Sequence, residues 1–256
     1  MKIGSFNVNS IRARLPIITQ WMQQNRPDVL CLQETKVQDQ DFPKESFEQL
    51  GYNCAFSGQK SYNGVALLTP HKIQGLSFGL DTEPKDEPRL IRAKIKRINI
   101  VNTYVPQGVE PASDKFQYKL HWFDRLLKLF KAHFKPTDML IWLGDFNIAP
   151  EARDLYDPDG LYDSVCYHPD VHKALQKVIK WGFVDLFRKH CDQPGQYTFW
   201  DYRLPNSFKR NLGWRLDHIM ATQPLAKKCT ACYIDKKPRA AEKPSDHAPV
   251  IAEFDL

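Results

Sequence analysis

The sequence predicts an α/β fold in which mixed β-sheets combine with helices. Short apolar runs typical of buried strands alternate with amphipathic helical segments along the whole chain. Two of these runs, 90–96 and 99–105, are separated only by a tight turn near Arg97, which favours an antiparallel pair. Hairpins of this kind do not belong to purely parallel sheets, so the pattern favours mixed sheets over a doubly wound parallel sheet.

The first part of the chain follows the order strand, helix, strand. A strand is predicted at residues 2–8, a helix at 15–24, and buried strands at 28–33 and 64–69. Within the helix, the apolar pattern turns Trp21 and Met22 towards the core.

The middle of the chain contains a long amphipathic helix. Its apolar side chains recur at three- and four-residue steps, namely Phe116, Leu120, Phe123, Leu127, Phe130 and Phe134. An aromatic stripe with this spacing indicates packing rather than a ligand site. The remaining predicted elements are a strand at 139–143, a helix at 171–181, and strands at 216–221 and 249–254.

Length and composition favour a single domain. The chain has 256 residues, of which 42% are hydrophobic, so it is long enough for one large domain or two small ones. No Ser/Gly-rich stretch or change of composition marks a linker. We therefore expect one domain that spans residues 1–256.

The net charge of +6 favours an anionic partner such as a nucleic acid, although charge alone is a weak signal. The six cysteines are scattered, and Cys229 and Cys232 lack a second pair to complete a zinc site. Free thiols in a reducing compartment are expected. With no leader peptide and no apolar run of about 18 residues, we expect a cytoplasmic protein without a membrane anchor.

Polar side chains follow the apolar strands at several separate places, at Asn7, Glu34, Asp145, Asn147, Asp217, Asp246 and His247. Each has an ordinary structural explanation, such as a surface ion pair for Glu34 or a turn for Asp145. Their joint occurrence at strand ends favours one rim of oxygen ligands around Mg²⁺ or Mn²⁺. Such a rim is typical of a phosphoesterase, because the cation neutralises phosphoryl oxygens.

Seven motifs carry a family resemblance, and they run in order through SFNVNSIRAR, LCLQETK, GVALLT, NTYVPQG, GDFNIAP, GWRLD and EKPSDHAPV. This series resembles the exonuclease III family within the endonuclease/exonuclease/phosphatase superfamily. The resemblance covers nearly the whole chain and implies a deoxyribonuclease I-like fold. That fold is a four-layer sandwich of two packed mixed β-sheets flanked by helices, with the site at one edge of the sheets.

The resemblance also implies roles for the rim residues. Glu34 is the expected principal metal ligand, and the wider metal-binding set is Asn7, Glu34, Asp145, Asn147, Asp246 and His247. The expected catalytic residues are Tyr104, Asp145, Asn147, Asp217 and His247. In this scheme Asp217 pairs with His247, Tyr104 donates to a phosphate oxygen, and the Asp145 and Asn147 side chains hold the attacking water and the phosphate. Whether Asp145 or His247 takes the proton from water stays open.

A segment rich in aromatic and basic residues, 197–216, is predicted to form a loop beside the rim. The resemblance implies that Phe199, Trp214 and Leu216 line a pocket for a flipped-out sugar that lacks its base. Gln107 and Arg89 complete the expected substrate-binding set. Trp200 and Tyr202 are interpreted as core residues.

A basic face is a further hypothesis. Arg89, Arg92, Lys94 and Lys96 would follow the phosphate backbone of DNA, although only one alternating set on a strand can face it.

Two departures from the family pattern leave questions open. The connection between GDFNIAP and Lys180 is shorter than in the best-known bacterial member, and residues 155–163 are acidic rather than basic. The balance between incision at abasic sites and 3′-5′ exonuclease action is therefore not determined. Asn9 stands where some relatives have an acidic residue, which would alter metal affinity.

The resulting prediction is a monomeric DNA repair enzyme that acts on double-stranded DNA containing abasic sites or blocked 3′ ends. It would cut the phosphodiester bond 5′ to the abasic site and leave a 3′-hydroxyl, with 3′-5′ exonuclease and 3′-phosphatase or phosphodiesterase activity of open strength. One alternative is a non-catalytic nucleic-acid-binding relative, which the complete set of rim residues disfavours. The other is a phosphatase for small phosphoesters, which the loop 197–216 disfavours. The number of metal ions and action on uracil-containing DNA or RNA stay open.

Overall fold

Two six-stranded β-sheets form the centre of the protein, in a computed structural model that describes residues 1–83, 85 and 87–256. The first sheet consists of β1 (Lys2–Asn7), β2 (Val29–Gln33), β3 (Asn53–Ser57), β4 (Val65–Thr69), β11 (Cys229–Ile234) and β12 (Val250–Phe254). Its spatial order is β11-β12-β1-β2-β4-β3. Only the pair β1 and β2 is parallel in this sheet, so the sheet is mixed.

The second sheet has the same mixed character. Its strands are β5 (Ile73–Phe78), β6 (Leu90–Ile95), β7 (Ile98–Tyr104), β8 (Leu140–Asp145), β9 (Phe183–Asp185) and β10 (Asp217–Thr222), in the spatial order β5-β6-β7-β8-β10-β9. Strands β7 and β8 run parallel, and the other neighbours are antiparallel. The predicted hairpin is present, since β6 and β7 pair from Ile95 and Ile98 outwards.

Helices cover the outer face of each sheet, and two short helices contribute to the core between the sheets. They are α1 (Ile11–Asn25), α2 (Lys44–Glu48), α3 (Asp114–His133), α4 (Pro169–Ile179), α5 (Leu186–His190) and α6 (Gln223–Ala226). Apolar residues of α1 and α2 pack on the first sheet, whereas α3 and α4 pack on the second. A third group of buried residues, drawn from both sheets and from α5 and α6, lies between the sheets. The predicted four-layer sandwich is confirmed.

The long helix α3 illustrates how the sequence specifies an element. The Ser113 side chain accepts a hydrogen bond from the Phe116 backbone N–H, which caps the first turn. Phe116, Phe123 and Phe130 are buried against the second sheet, as the stripe predicts. The predicted start of α1 at residue 15 was late, because the helix begins at Ile11, which is fully buried.

All six cysteines are free thiols, in agreement with the sequence-based expectation. Within the described part of the chain, no helix combines the length and apolar character that crossing a bilayer requires.

Candidate active site

The polar side chains that follow the strands meet at one edge of the two sheets. Asn7 ends β1, Glu34 follows β2, and Tyr104 and Asp145 end the neighbouring parallel strands β7 and β8. Asp217, the first residue of antiparallel β10, pairs directly with Asp145. Since the carboxyl ends of parallel strands lie at the same edge, residues distant in sequence converge there. The rim predicted from the sequence is therefore present.

A glycine allows the closest approach at this edge. Gly144 has φ +139°, and a β-carbon there would lie 1.9 Å from the Thr103 carbonyl oxygen on the adjacent strand. Any side chain would push β8 away from β7, so only glycine fits immediately before Asp145.

Two carboxylates and one imidazole form the centre of the site. One ligand atom from each of Glu34, Asp145 and His247 lies within 4.8 Å of the others. The Asn7 amide nitrogen bridges the two carboxylates, donating to Glu34 Oε1 and to Asp145 Oδ2 at 2.8 Å each. In this arrangement the Asn7 side-chain oxygen accepts from the Asn9 backbone N–H. Asn7 thus orients the carboxylates, while its predicted role as a ligand stays a prediction.

The imidazole of His247 is held by a buried carboxylate. His247 Nδ1 donates to Asp217 Oδ2 at 2.7 Å, and the opposite ring nitrogen, Nε2, lies 3.9 Å from Asp145 Oδ2. Burial opposes the charged form, but the charges of Asp217 and Asp145 outweigh it and raise the pKa of His247 to about 10. His247 is therefore an imidazolium at neutral pH, with Nε2 aimed into the site.

Burial acts in the opposite sense on Asp145. Desolvation and the nearby charge of Asp217 raise the pKa of the Asp145 carboxyl well above its usual range, against the attraction of His247. Asn147 is bound to the same carboxylate, because its backbone N–H donates to Asp145 Oδ1 at 2.8 Å. Its side-chain nitrogen donates to the Val105 carbonyl at 2.9 Å. Asn147 has φ 51°, a strained conformation that these contacts maintain.

Glu34 carries a second set of contacts that the sequence analysis did not assign. Burial raises the pKa of Glu34, but the Lys36 ammonium and the Asn7 hydrogen bond outweigh this and leave it below the usual value. Lys36 Nζ lies 2.7 Å from Glu34 Oε2 and donates to Asn9 Oδ1 at 2.5 Å. Asn9 in turn donates to Asp246 Oδ1 at 3.0 Å. Lys36 belongs to the LCLQETK motif, and its place two residues after Glu34 is the sequence feature that could have indicated this contact.

This donor set fits a hard divalent cation. Carboxylate oxygens of Glu34 and Asp145 converge beside the His247 imidazolium, and Glu34 is kept ionised. The site carries no soft thiolate ligand among these three residues.

An apolar pocket of about 270 Å³ opens beside this cluster. The predicted residues Phe199, Trp214 and Leu216 form part of its wall, together with Leu155, Leu161, Val165 and Cys166. Phe199 stacks on Trp214 with ring centroids 5.1 Å apart and packs against His247 at 4.8 Å. Glu34, Tyr104, Gln107, Asn147, Asp246 and His247 also line the pocket, so it opens onto the polar cluster.

Tyr104 stands between this pocket and a neighbouring groove. Burial, with the charges of Glu34 and Asp145, raises the pKa of the Tyr104 phenol well above its usual value, so the hydroxyl stays protonated. The Arg89 guanidinium lies 4.9 Å above the Tyr104 ring and pairs with Glu87. Arg89, Tyr104 and Gln107 all line the groove.

A buried ion-pair network supports the pocket wall at Leu155. The carboxylate of Asp154 is fully buried and accepts two hydrogen bonds from Arg215 and one from Arg188. Arg215 also donates to Asp185 at 2.8 Å. Two cations around one buried carboxylate hold the residue before Leu155 against the second sheet.

One interpretation of the sequence needs correction. Trp200 is fully buried as expected, but Tyr202 is 48% exposed, and its hydroxyl donates to the Pro244 carbonyl oxygen at the surface. The hypothesis of a basic face stays a prediction. Lys94 pairs with Asn99, at the opposite end of β7 from Tyr104, so it lies far along the strand from Arg89. Arg92 is engaged by Asp81.

Known proteins resemble this chain along nearly its whole length. Residues 4–247 match the Endonuclease/Exonuclease/phosphatase family. The chain is 37% identical to exodeoxyribonuclease III of Haemophilus influenzae, over 99% of this chain and 100% of that protein.

Solved structures of related proteins superpose on this chain over its full length. An AP endonuclease from Archaeoglobus fulgidus superposes with a TM-score of 0.98 at 50% identity, over 100% of both chains. The 3′ phosphatase NExo from Neisseria, bound to a product DNA hairpin, superposes with a TM-score of 0.96 at 37% identity, again over 100% of both chains. The predicted enzyme class, a hydrolytic nuclease, is confirmed by these relatives. The chain belongs to the endonuclease/exonuclease/phosphatase family.

Proposed function

We propose that the protein is a DNA repair nuclease that hydrolyses the phosphodiester bond 5′ to abasic sites in double-stranded DNA and leaves a 3′-hydroxyl. We include 3′-5′ exonuclease and 3′-phosphatase or phosphodiesterase activity on blocked 3′ ends, because the same cluster can act on a terminal phosphate. The observation that carries the proposal is the apolar pocket of about 270 Å³ that opens directly onto Glu34, Asn147 and His247. Its wall of Phe199, Trp214 and Leu216 beside the catalytic cluster suits a flipped-out sugar that lacks its base.

We assign Mg²⁺ or Mn²⁺ to the carboxylate cluster. Glu34 would be the principal ligand, with Asn7, Asp145, Asn147 and Asp246 of the predicted set around it. His247, the remaining member of that set, would lie beside the cation without binding it, because a protonated imidazole has no free nitrogen lone pair. A bound cation supplies neutralisation of the phosphoryl oxygens and of the leaving oxygen.

The side chains of the protein would supply the rest of the chemistry. His247 is protonated through its contact with Asp217, so its Nε2–H can donate to a non-bridging phosphate oxygen. The protonated Tyr104 hydroxyl and the Asn147 amide can donate to the same group. Asp145 would accept the proton from the attacking water, because its pKa is raised towards neutrality while His247 is already charged.

We further propose that residues 1–256 act as one domain and as a monomer in the cytoplasm. One hydrophobic core receives residues from both sheets, which supports a single folding unit.

The test is a gel of products from one end-labelled abasic duplex, with Mg²⁺ and with a chelator. Band position separates incision at the abasic site from digestion of the ends. Asp145→Asn should bind the duplex and fail to cut it. The matched control is Asp138→Asn, which changes a carboxylate just before the opposite end of β8 and should cut normally.

Other outcomes would contradict the proposal. A protein that ignores the abasic duplex but hydrolyses small phosphoesters would be a phosphatase. Full cleavage by Asp145→Asn would remove Asp145 from the mechanism.

A further inference from the structure

Lys119 is a fully buried cation that the proposed chemistry does not use. It lies on α3 with 0% of its surface exposed. Its Nζ donates to three backbone carbonyl oxygens, those of Gln107 at 3.0 Å, Asn147 at 2.8 Å and Val165 at 2.7 Å. Burying a charge is unfavourable unless its hydrogen bonds are fully made, so this arrangement calls for an explanation.

The number of acceptors matches the charged form of lysine. An ammonium group has three N–H donors, whereas a neutral amine has two. Three carbonyl oxygens around Nζ are therefore all satisfied only by the ammonium. The aliphatic part is enclosed as well, because a β-carbon added at Gly108 would lie 3.3 Å from Lys119 Cδ.

The three acceptors belong to three different segments of the pocket. Gln107 follows β7, Asn147 follows β8, and Val165 lies in the wall before α4. All three residues line the pocket. They are separated by long stretches of chain, and Lys119 Nζ joins them at a single point.

Of the three acceptor residues, Asn147 has the backbone conformation that depends most on its contacts. Its backbone is in the left-handed region, with φ 51°, and its N–H and side-chain nitrogen are bound to Asp145 and Val105. Lys119 holds the remaining backbone group, the carbonyl oxygen. A strained conformation persists only when its surroundings maintain it from several sides.

We propose that Lys119 is a positioning residue for phosphodiester cleavage, which ties the segments of Gln107, Asn147 and Val165 together and thereby orients the Asn147 amide towards the phosphate. The inference rests on the proposed function. It assigns Lys119 no contact with the substrate.

The first experiment compares Lys119→Met with the unaltered protein on an abasic duplex in Mg²⁺. Methionine keeps an unbranched side chain that is one atom shorter and removes every donor. We expect kcat to fall on the order of tenfold to a hundredfold, as for other residues that orient a catalytic group, with KM changed by less than about threefold. The matched control is Arg125→Met on the same helix, whose guanidinium donates to Thr82 outside the pocket, and its kcat should be unchanged.

A double-mutant cycle separates positioning from general destabilisation. If Lys119 acts through Asn147, Lys119→Met should cost little further activity in an Asn147→Ala background. If the two losses multiply in full, the inference is overturned. Near-UV circular dichroism establishes that each variant is folded. If Lys119→Met does not fold, Lys119→Gln, which keeps a shorter donor, takes its place in the same comparison with Asn147→Ala.

Two outcomes distinguish a failure of the proposed function from a failure of this inference. An unaltered protein that does not cut the abasic duplex overturns the proposed function and this inference with it. An active unaltered protein whose Lys119→Met variant is equally fast overturns the inference alone.

Discussion

His247 and Asp217 show how one contact can set the charge state of a catalytic side chain. Their hydrogen bond at 2.7 Å is fully buried, and the aspartate outweighs the effect of burial on the imidazole. The proposed role of His247 as a charged donor therefore depends on Asp217, which does not need to touch the substrate.

The variant Asp217→Asn tests this dependence. Without the carboxylate charge, the pKa of His247 should fall from about 10 towards the ordinary value of about 6.5. The imidazolium is then lost as the pH rises through this lower range, so cleavage by the variant should decline above about pH 6.5, where the unaltered protein stays active. The measurement is kcat/KM between pH 5.5 and 9, taken as roughly the accessible range. Identical pH profiles would exclude Asp217 as the source of the charge.

Among the active-site residues, those at the ends of strands could be predicted from the sequence. Asn7, Glu34, Asp145 and His247 could be predicted because each directly follows or precedes an apolar run. Lys119 could not, because its place on α3 resembles an ordinary exposed position until the three carbonyl groups are brought together. Tyr202 was misjudged for a similar reason, since an aromatic side chain in a loop has no period that shows which way it faces.

Among the elements, β10 and the segment after β8 are joined by a buried histidine. His218 on β10 donates through Nε2 to the Ile148 carbonyl oxygen at 2.8 Å, and its Nδ1 accepts from Arg215 at 3.0 Å. Burial, reinforced by the Arg215 charge, lowers the pKa of His218 to about 4. The neutral tautomer therefore ties the second sheet to the GDFNIAP segment.

This histidine should make stability depend on pH. Its folded pKa of about 4 lies below the unfolded value of about 6.5, so protons bind preferentially to the unfolded chain between them. The stability that the neutral form contributes is present above about pH 6.5 and is lost as the pH falls towards 4. The loss should reach up to about 3 kcal/mol. Urea unfolding at several pH values would measure it, with His218→Gln as the comparison. If His218→Gln retains the same slope, other groups are responsible.

Strands buried on both faces were the easiest to predict from the sequence. Strands β2, β4 and β8 are buried at every residue and were recognised. The strands β3, β5, β9 and β11, which form the edges of the two sheets, were not. Strand β5, for example, is exposed at most of its positions, so its composition carries no strong apolar signal. The short helices α2, α5 and α6 contain too few turns for a helical period to be seen.

For the molecule as a whole, metal binding and folding should be linked. Glu34 and Asp145 place negative charge close together at the junction of the two sheets, and a cation there stabilises only the folded state. Saturating Mg²⁺, at about 100 times its dissociation constant, should add roughly 2.7 kcal/mol to the free energy of unfolding. We expect a rise of several degrees in Tm that Glu34→Gln abolishes, measured by thermal unfolding with and without Mg²⁺. Glu48→Gln, on the exposed end of α2, should keep the full shift, and an equal shift in both variants would place the ion elsewhere.

The four-layer arrangement was predictable in outline because the series of motifs covers almost the whole chain, but apolar patterns alone indicated only mixed sheets. Which strands become neighbours depends on contacts between residues far apart in sequence. Strand β1, for instance, lies between β2 and β12, which are encoded near opposite ends of the chain.

The division of the active-site residues between the two sheets should keep an incompletely folded chain inactive. Asn7 and Glu34 are supplied by one sheet, while Asp145 and Asp217 are supplied by the other. A nascent or partly denatured chain, in which only one half has formed, would hold an incomplete set of reactive groups and could not damage a chromosome. Cleavage therefore requires both sheets to be formed and packed together.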